Sequence, residues 1–266
     1  MPVEAIVINL ERDAERMAHM RGELERCGIK YSRFSAIDGA QLPAKYARYF
    51  PDSAQSVLSR GEVGCYASHL AVCEMIARGD VASPALVLED DVALTDALAN
   101  VLNDLIETLP AGWDLVRLSN NAKHACIAQS DLGEGRHLVR YSNVPSSAGA
   151  ILWSRAGAEK FLAARVRTLP VDQDLRLVWA WDLDTYGVVP APVLRDRCGA
   201  SRIDAMAPAG WREEARHLRF IRGARRRDVL HRHAHGMRAF GARRWFAAEA
   251  FNLLKRLGGG APPLIR

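Results

Sequence analysis

Cysteine is scarce and unpatterned in this 266-residue sequence: Cys27, Cys65, Cys73, Cys126 and Cys198 are odd in number and include no C-x-x-C pair. That spacing indicates neither a disulfide framework nor a cysteine-built zinc cage, and it fits a reducing compartment. Cys65 and Cys73, eight apart on an expected helix, read as core fillers. Long apolar runs are also missing, since no stretch reaches the roughly 18 residues that a membrane-spanning helix needs. The first ten residues are only briefly apolar, have no basic region ahead of them and lead straight into Glu11, Arg12 and Asp13, unlike a secretory signal. A cytoplasmic location is therefore expected. Internal repeats and low-complexity tracts are absent too. What is present is 49% apolar composition, enough for one large domain core, or one domain with a tail.

Charge is divided unevenly. From residue 211 to 266 there are 13 Arg and 1 Lys against 4 acids, a net of +10, so residues 1–210 carry −5 of the overall +5. The expected organisation is an acidic body over 1–210 and a basic helical tail over 211–266.

The most informative stretch is Ala85-Leu86-Val87-Leu88-Glu89-Asp90-Asp91, an apolar run that ends in three adjacent carboxylates. Four aliphatic residues without polar alternation read as a strand buried on both faces of a mostly parallel sheet. The acids then lie at its carboxyl end, the edge at which open α/β sheets bind ligands. Adjacent like charges are tolerable when a divalent cation, solvent or basic groups compensate them. Two readings follow, a hard-cation site for Mn2+ or Mg2+ and a solvated strand-to-loop junction.

Around that strand the pattern alternates. Val3 to Leu10 reads as a first strand, followed by a helix from about Asp13 with Met17, Met20, Leu24 and Cys27 on one face. Tyr31, Phe34 and Ile37 lead into the turn signal Asp38-Gly39. Ser59 and Glu62 form a capping box that starts a helix over about 60–78, which contains His69. Glu62 has a structural reading on that ground, and a lone helical His is commonly a packing residue. After Asp91 a helix is expected over 95–109, then a strand over 113–118. Residues 119–140 show no clear periodicity and are expected to be a mobile loop that covers a ligand. A strand over 148–153, a helix capped by Ser154 and running to about Ala164, a helical segment after Pro170 and a strand over 186–189 complete the body. This is an α/β order with parallel crossovers.

Taken in order, Val7-Ile8-Asn9-Leu10 with Arg12 and Arg16, Phe34 to Gly39, Leu58 to His69 and Leu86 to Asp91 resemble glycosyltransferase family 25, which includes bacterial lipooligosaccharide glycosyltransferases and collagen galactosyltransferases. Gly149-Ala150, Ser154 to Ala158, Pro170-Val171-Asp172 and Pro190 to Ile203 continue the likeness, with Trp153 standing where the pattern leads one to expect Tyr. The resemblance covers residues 3–205 and not the tail. It implies a GT-A-type α/β fold, a UDP-sugar donor carrying galactose or glucose, inverting transfer, and a lipid-linked saccharide as acceptor. By the same likeness Glu89, Asp90 and Asp91 fall on the acidic metal motif, with Asp91 and Glu89 as ligands of Mn2+ or Mg2+. Such an ion neutralises charge on a leaving nucleoside diphosphate, and inversion needs a base opposite that leaving group.

Asp172 is the candidate base or acceptor ligand, and Glu89 a second catalytic carboxylate. Asp174, Asp182 and Asp184 compete with Asp172, which also reads as a helix N-terminal acid favoured by the dipole. Donor contacts are assigned to Asn9, Arg12, Arg16, Asp38, Glu62, His69 and Asp90, although Arg16 also reads as a solvated helix residue and Asp38 as a plain turn. Two other functions fit parts of the sequence. A metal-dependent phosphohydrolase also uses carboxylates at a strand end, but no nucleophile motif accompanies them. A basic nucleic-acid-binding protein would need aromatics interleaved as a stacking platform, which the tail does not offer, so no nucleic-acid partner is expected. Over 216–257 the tail instead alternates Arg and Lys with Phe, Trp and Leu. That pattern suits either an interfacial helix on anionic lipid at the cytoplasmic membrane face or a helix packed on the body with solvated arginines.

Overall fold

The computed structural model describes residues 3–52, 57–119, 122–195, 224–256 and 264–265. The boundary expected at 210/211, the start of the tail and Cys198 lie outside these residues.

In chain order the elements are β1 (Glu4–Asn9), α1 (Ala14–Arg26), β2 (Tyr31–Ser35), two 3₁₀ turns (Gly39–Gln41 and Ala44–Tyr49), α2 (Arg60–Arg78), β3 (Ala85–Glu89), β4 (Val92–Leu94), α3 (Leu98–Thr108) and β5 (Leu115–Arg117). Then follow β6 (Cys126–Asp131), β7 (His137–Tyr141), β8 (Ala150–Trp153), α4 (Arg155–Phe161), α5 (Val171–Asp174), α6 (Val178–Trp181), β9 (Thr185–Val189), β10 (Val193–Arg195), α7 (Ala224–Phe240), α8 (Ala242–Arg256) and β11 (Leu264–Ile265). Among the described residues nine strands form one sheet in the order β11-β6-β7-β9-β5-β8-β3-β1-β2, and β4 pairs with β10 in a separate ribbon.

The fold is α/β, as the alternating pattern predicts. β1 is apolar without alternation because both faces are covered: Ala5 and Val7 pack with Met17, Met20 and Leu24 of α1, Ile6 and Ile8 with the layer containing α2. It runs parallel to β2 and β3, which places the carboxyl ends of β1 and β3 side by side. α2 begins at the expected capping box, in which Ser59 accepts from the Glu62 amide and the Glu62 carboxylate accepts from the Ser59 amide. Beyond β3 the sheet becomes mixed: β8 runs antiparallel between β3 and β5, and β5 is parallel to β9.

The expectation for residues 119–140 needs correction. They contain β6 and most of β7, an antiparallel hairpin turned through Gly133, Glu134 and Gly135 and joined to β9. A register shift between Ala128 and Ser130 breaks the alternation in β6, so the period-two signal of a strand is lost from the sequence while the pairing survives.

The tail helices pack on the body through one face. Trp245 and Ala248 are buried, the Asn252 side-chain oxygen accepts from the Ala125 amide at 2.9 Å and its amide donates to Ser142 Oγ at 3.0 Å. Arg232 joins α7 to α8 through a two-point pair with Glu249 at 2.7 and 3.0 Å. Among the described residues no helix is long and apolar enough to cross a membrane.

A buried polar knot ties α2, α4 and α5 together. Arg167 is fully buried, with Nη1 donating to Tyr66 Oη at 3.1 Å and Nη2 to Phe161 O at 2.6 Å, while its guanidinium lies 3.9 Å from the Trp181 ring centre. Tyr66 donates to Asp174 Oδ2 at 2.6 Å, and Arg167 Nη1 stands 3.7 Å from the same oxygen. Removing one member of a buried ion pair leaves the other uncompensated. Arg167→Met is accordingly expected to lower stability by about 3–5 kcal/mol in urea unfolding; a loss under about 1 kcal/mol would show that the knot is not structural.

Candidate active site

Register and alternation divide the three acids. Ile8 lies opposite Glu89, so Asn9 comes level with Asp90. Val87 faces the α2 side of the sheet and Leu86 and Leu88 the α1 side, which sends Glu89 toward α2 and Asp90 toward α1. On the α1 side Asn9 Nδ2 donates to Asp90 Oδ2 at 2.7 Å and Arg16 Nη1 to Asp90 Oδ1 at 3.0 Å, so both oxygens of Asp90 are engaged. Asn9 is buried, with Oδ1 unpartnered. Asp91 sits partly buried at the turn into β4.

On the α2 side Glu89 meets two residues of that helix. Glu89 Oε1 lies 3.2 Å from His69 Nε2 and 3.7 Å from Cys65 Sγ. Burial first, then the Glu89, Asp172 and Asp91 carboxylates push the Cys65 thiol well above its ordinary value. Asp172 accepts from the Ser146 hydroxyl, and the Gln173 amide donates to Ser146 Oγ at 2.8 Å and to Asp172 Oδ2 at 3.3 Å. Arg176 braces this loop through Val144 O at 3.0 Å and Gln173 Oε1 at 3.1 Å. Arg117, at the end of β5, is buried. It donates to Ser147 O, while its Nε and Nη2 are unpartnered, and burial pushes its pKa down to about 10.

The 36–41 segment is held against α2 by close backbone approach. A Cβ on Gly64 would come 2.5 Å from Ile37 O, and one on Gly39 would come 1.8 Å from Arg60 O. The Ile37 amide donates to Ser68 Oγ at 2.8 Å, and the Ser68 hydroxyl in turn donates to Gly64 O at 2.7 Å. Glycine at 64 and serine at 68 thus have a physical purpose: they seat the loop that carries Asp38. Asp38 caps the first 3₁₀ turn by accepting from the Ala40 amide and pairs with Arg12 at 2.7 Å on an exposed rim, where that hydrogen bond lowers its pKa.

Of the residues singled out from sequence, Glu89 and His69 meet on the α2 side of this edge, Asn9, Arg16 and Asp90 meet on the α1 side, Asp91 lies in the turn after β3, and Asp172 is held by Ser146 and Gln173 at the start of α5. Arg12 and Asp38 stand at the rim. Glu62 serves as the N-terminal cap of α2, its structural reading. Asp174 belongs to the buried Arg167 knot, where burial raises its pKa, and Asp184 pairs with Arg140 at 2.5 Å. Asp182 is exposed at the end of α6, and its backbone oxygen accepts from Lys160 at 2.8 Å. Trp153 is a fully buried core residue 5.4 Å from the Phe161 ring. Sequence reasoning missed Cys65, which faces Glu89, although its spacing of four from His69 on one helix carried the signal. Cys73 is buried and fills the core as expected. Ser146, Arg117 and Arg176 gave no local signal.

Residues 3–173 match the family model described as Glycosyltransferase family 25 (LPS biosynthesis protein). The chain is 30% identical over 197 residues to a Bos taurus protein named probable inactive glycosyltransferase 25 family member 3, covering 66% of this chain and 31% of that protein. It is 29% identical over 191 residues to procollagen galactosyltransferase 1-A of Xenopus laevis, with 66% and 31% covered, and 34% identical over 124 residues to a glycosyltransferase 25 family member of Aedes aegypti, with 41% and 20% covered. The chain therefore spans about a third of the length of the first two relatives.

Seating of the rim loop is open to test. Gly64→Ala is expected to destabilise the protein by about 1–3 kcal/mol, the usual cost of overpacking, with enhanced proteolysis or hydrogen exchange confined first to residues 36–41. Unchanged exchange in that segment would contradict the close-approach argument.

Proposed function

The chain belongs to glycosyltransferase family 25, and from that membership and the geometry of the site we propose that it is an inverting GT-A-type hexosyltransferase, moving galactose or glucose from a UDP-sugar to a lipooligosaccharide, lipopolysaccharide or other glycan acceptor. The observation that carries this reading is the acidic carboxyl edge of the sheet, with Glu89 set against His69 and Cys65 of α2, Asp90 held by Asn9 and Arg16, and Asp91 in the turn that follows. Some relatives are named inactive, so membership alone does not carry activity.

Each residue has a role in this reading. Glu89 and Asp91 are hard oxygen donors of the kind Mn2+ or Mg2+ prefers, and such an ion supplies neutralisation of the departing diphosphate. Asn9 and Arg16 fix Asp90, which holds the turn that presents Asp91. The exposed Arg12–Asp38 pair on the rim meets the nucleotide. Asp172, oriented by Ser146 and Gln173, accepts the proton of the attacking acceptor hydroxyl. A phosphohydrolase would need a nucleophile, and none stands out among the motifs.

The same reading brings the enzyme to a membrane that carries its lipid-linked acceptor. The inner face of α8 is taken by Trp245, Ala248 and Asn252, while Phe246, Leu253 and Leu254 on its outer face are about 60% exposed beside Arg243 and Arg244. An apolar stripe flanked by arginine suits anionic lipid, with about 1 kcal/mol per basic residue near the surface.

Two measurements test these proposals. Mn2+-stimulated hydrolysis or transfer of UDP-galactose or UDP-glucose is expected to fall by at least about a hundredfold in Asp91→Asn, with an unchanged melting temperature; a near-normal, Mn2+-stimulated rate would remove Asp91 from the site. In flotation assays the protein is expected to bind vesicles containing anionic lipid, and to lose that binding in high salt and in Phe246→Glu/Leu253→Glu. Equal association with neutral and anionic vesicles would refute the electrostatic contribution.

A further inference from the structure

Cys65, His69 and Glu89 bring three different ligand types to one point. Cys65 and His69 are four residues apart on α2 and so project from one helix face, and Glu89 arrives from the end of β3. One atom from each, Sγ, an imidazole nitrogen and a carboxylate oxygen, lie within 4.8 Å of one another. Zinc bonds of about 2.3 Å to sulfur and about 2.0–2.1 Å to nitrogen and oxygen imply tetrahedral edges of about 3.3–3.6 Å. The observed Glu89 Oε1 separations, 3.2 Å to His69 Nε2 and 3.7 Å to Cys65 Sγ, are already close to those edges. His69 is 1% exposed, so its ring is held by packing rather than drawn in from solvent.

We propose that Cys65, His69 and Glu89 form a binding site for a thiophilic divalent ion, with Zn2+ as the ion whose ligand preferences it fits. A hard cation gains nothing from a thiolate, whereas the mixed sulfur, nitrogen and oxygen set suits zinc or cobalt. Three protein ligands leave the fourth position to water or to an oxygen of a bound ligand. Binding replaces the thiol proton: Cys65 Sγ–H gives up H+ to solvent as the sulfur–metal bond forms, so affinity rises with pH. Glu89 is shared with the proposed hard-cation site. A thiophilic ion therefore draws Glu89 away from Asp91, and the two occupancies compete.

Co2+ titration of the full-length protein, reduced with a phosphine, reads the thiolate bond directly. One equivalent is expected to produce a near-ultraviolet thiolate-to-cobalt charge-transfer band that Zn2+ abolishes. Cys65→Ser should lack the band while keeping its metal-free melting temperature and its affinity for Mn2+. In the unsubstituted protein, Zn2+ should also slow alkylation of Cys65, located by peptide mass spectrometry, at least tenfold, a readout that needs no variant to fold. Absence of the band, its persistence in Cys65→Ser, or unchanged alkylation of Cys65 with Zn2+ present would each overturn the site. None of these outcomes depends on turnover, so they are distinguishable from failure of the glycosyltransferase reading.

Discussion

The site depends on one register. Parallel pairing of β1 with β3 sets Ile8 opposite Glu89, and the two-residue period of a strand then forces adjacent carboxylates to opposite faces of the sheet. Three neighbouring acids that would otherwise repel one another are thereby distributed. Asp90 is neutralised by Arg16 and bonded by Asn9 on the α1 side, and Glu89 is met by His69 and Cys65 on the α2 side. A slip of one residue would exchange these surroundings and leave a carboxylate facing apolar core. The apolar residues that fix the register, Ile6 and Val87 on one face and Val7 and Leu88 on the other, are therefore as necessary to the site as the acids themselves.

Helix α2 links the site to the rest of the body. Its first turn is closed by the Ser59–Glu62 box, its next turn presents Gly64 to the Ile37–Gly39 backbone and carries Cys65, and the turn after that carries Ser68 and His69. Tyr66 of the same helix enters the Arg167–Asp174 knot. A single helix so connects the rim loop, the strand-end carboxylate and the buried charge pair on the α4–α5 side. Displacement of any one of these is transmitted to the others through packed contacts rather than through a flexible linker.

Much of this was legible in the sequence, for identifiable reasons. The apolar runs at 3–10 and 85–89, the capping box and the helix over 60–78 are local signals, and local physics decided them. The β6–β7 hairpin was not legible, because a bulge destroys the alternation by which a half-buried strand is recognised. Choosing among Asp172, Asp174, Asp182 and Asp184 needed the tertiary structure: all four carry the same side chain, and only their neighbours, Ser146, Tyr66, Lys160 and Arg140, separate them. In the tail both apolar faces were visible, but which one packs was settled by Trp245 and by the hydrogen bonds of Asn252 with Ala125 and Ser142.

In the proposed function the carboxyl edge of this sheet binds a nucleoside-diphosphate sugar together with a hard divalent cation. A ligand that binds only the folded state raises the melting temperature by mass action, so a panel of UDP-sugars screened by thermal unfolding with and without Mn2+ addresses it most directly. A shift is expected for UDP-galactose or UDP-glucose that is larger with Mn2+ than without it. No shift with any UDP-sugar in the presence of Mn2+, or a shift indifferent to the cation, would contradict it.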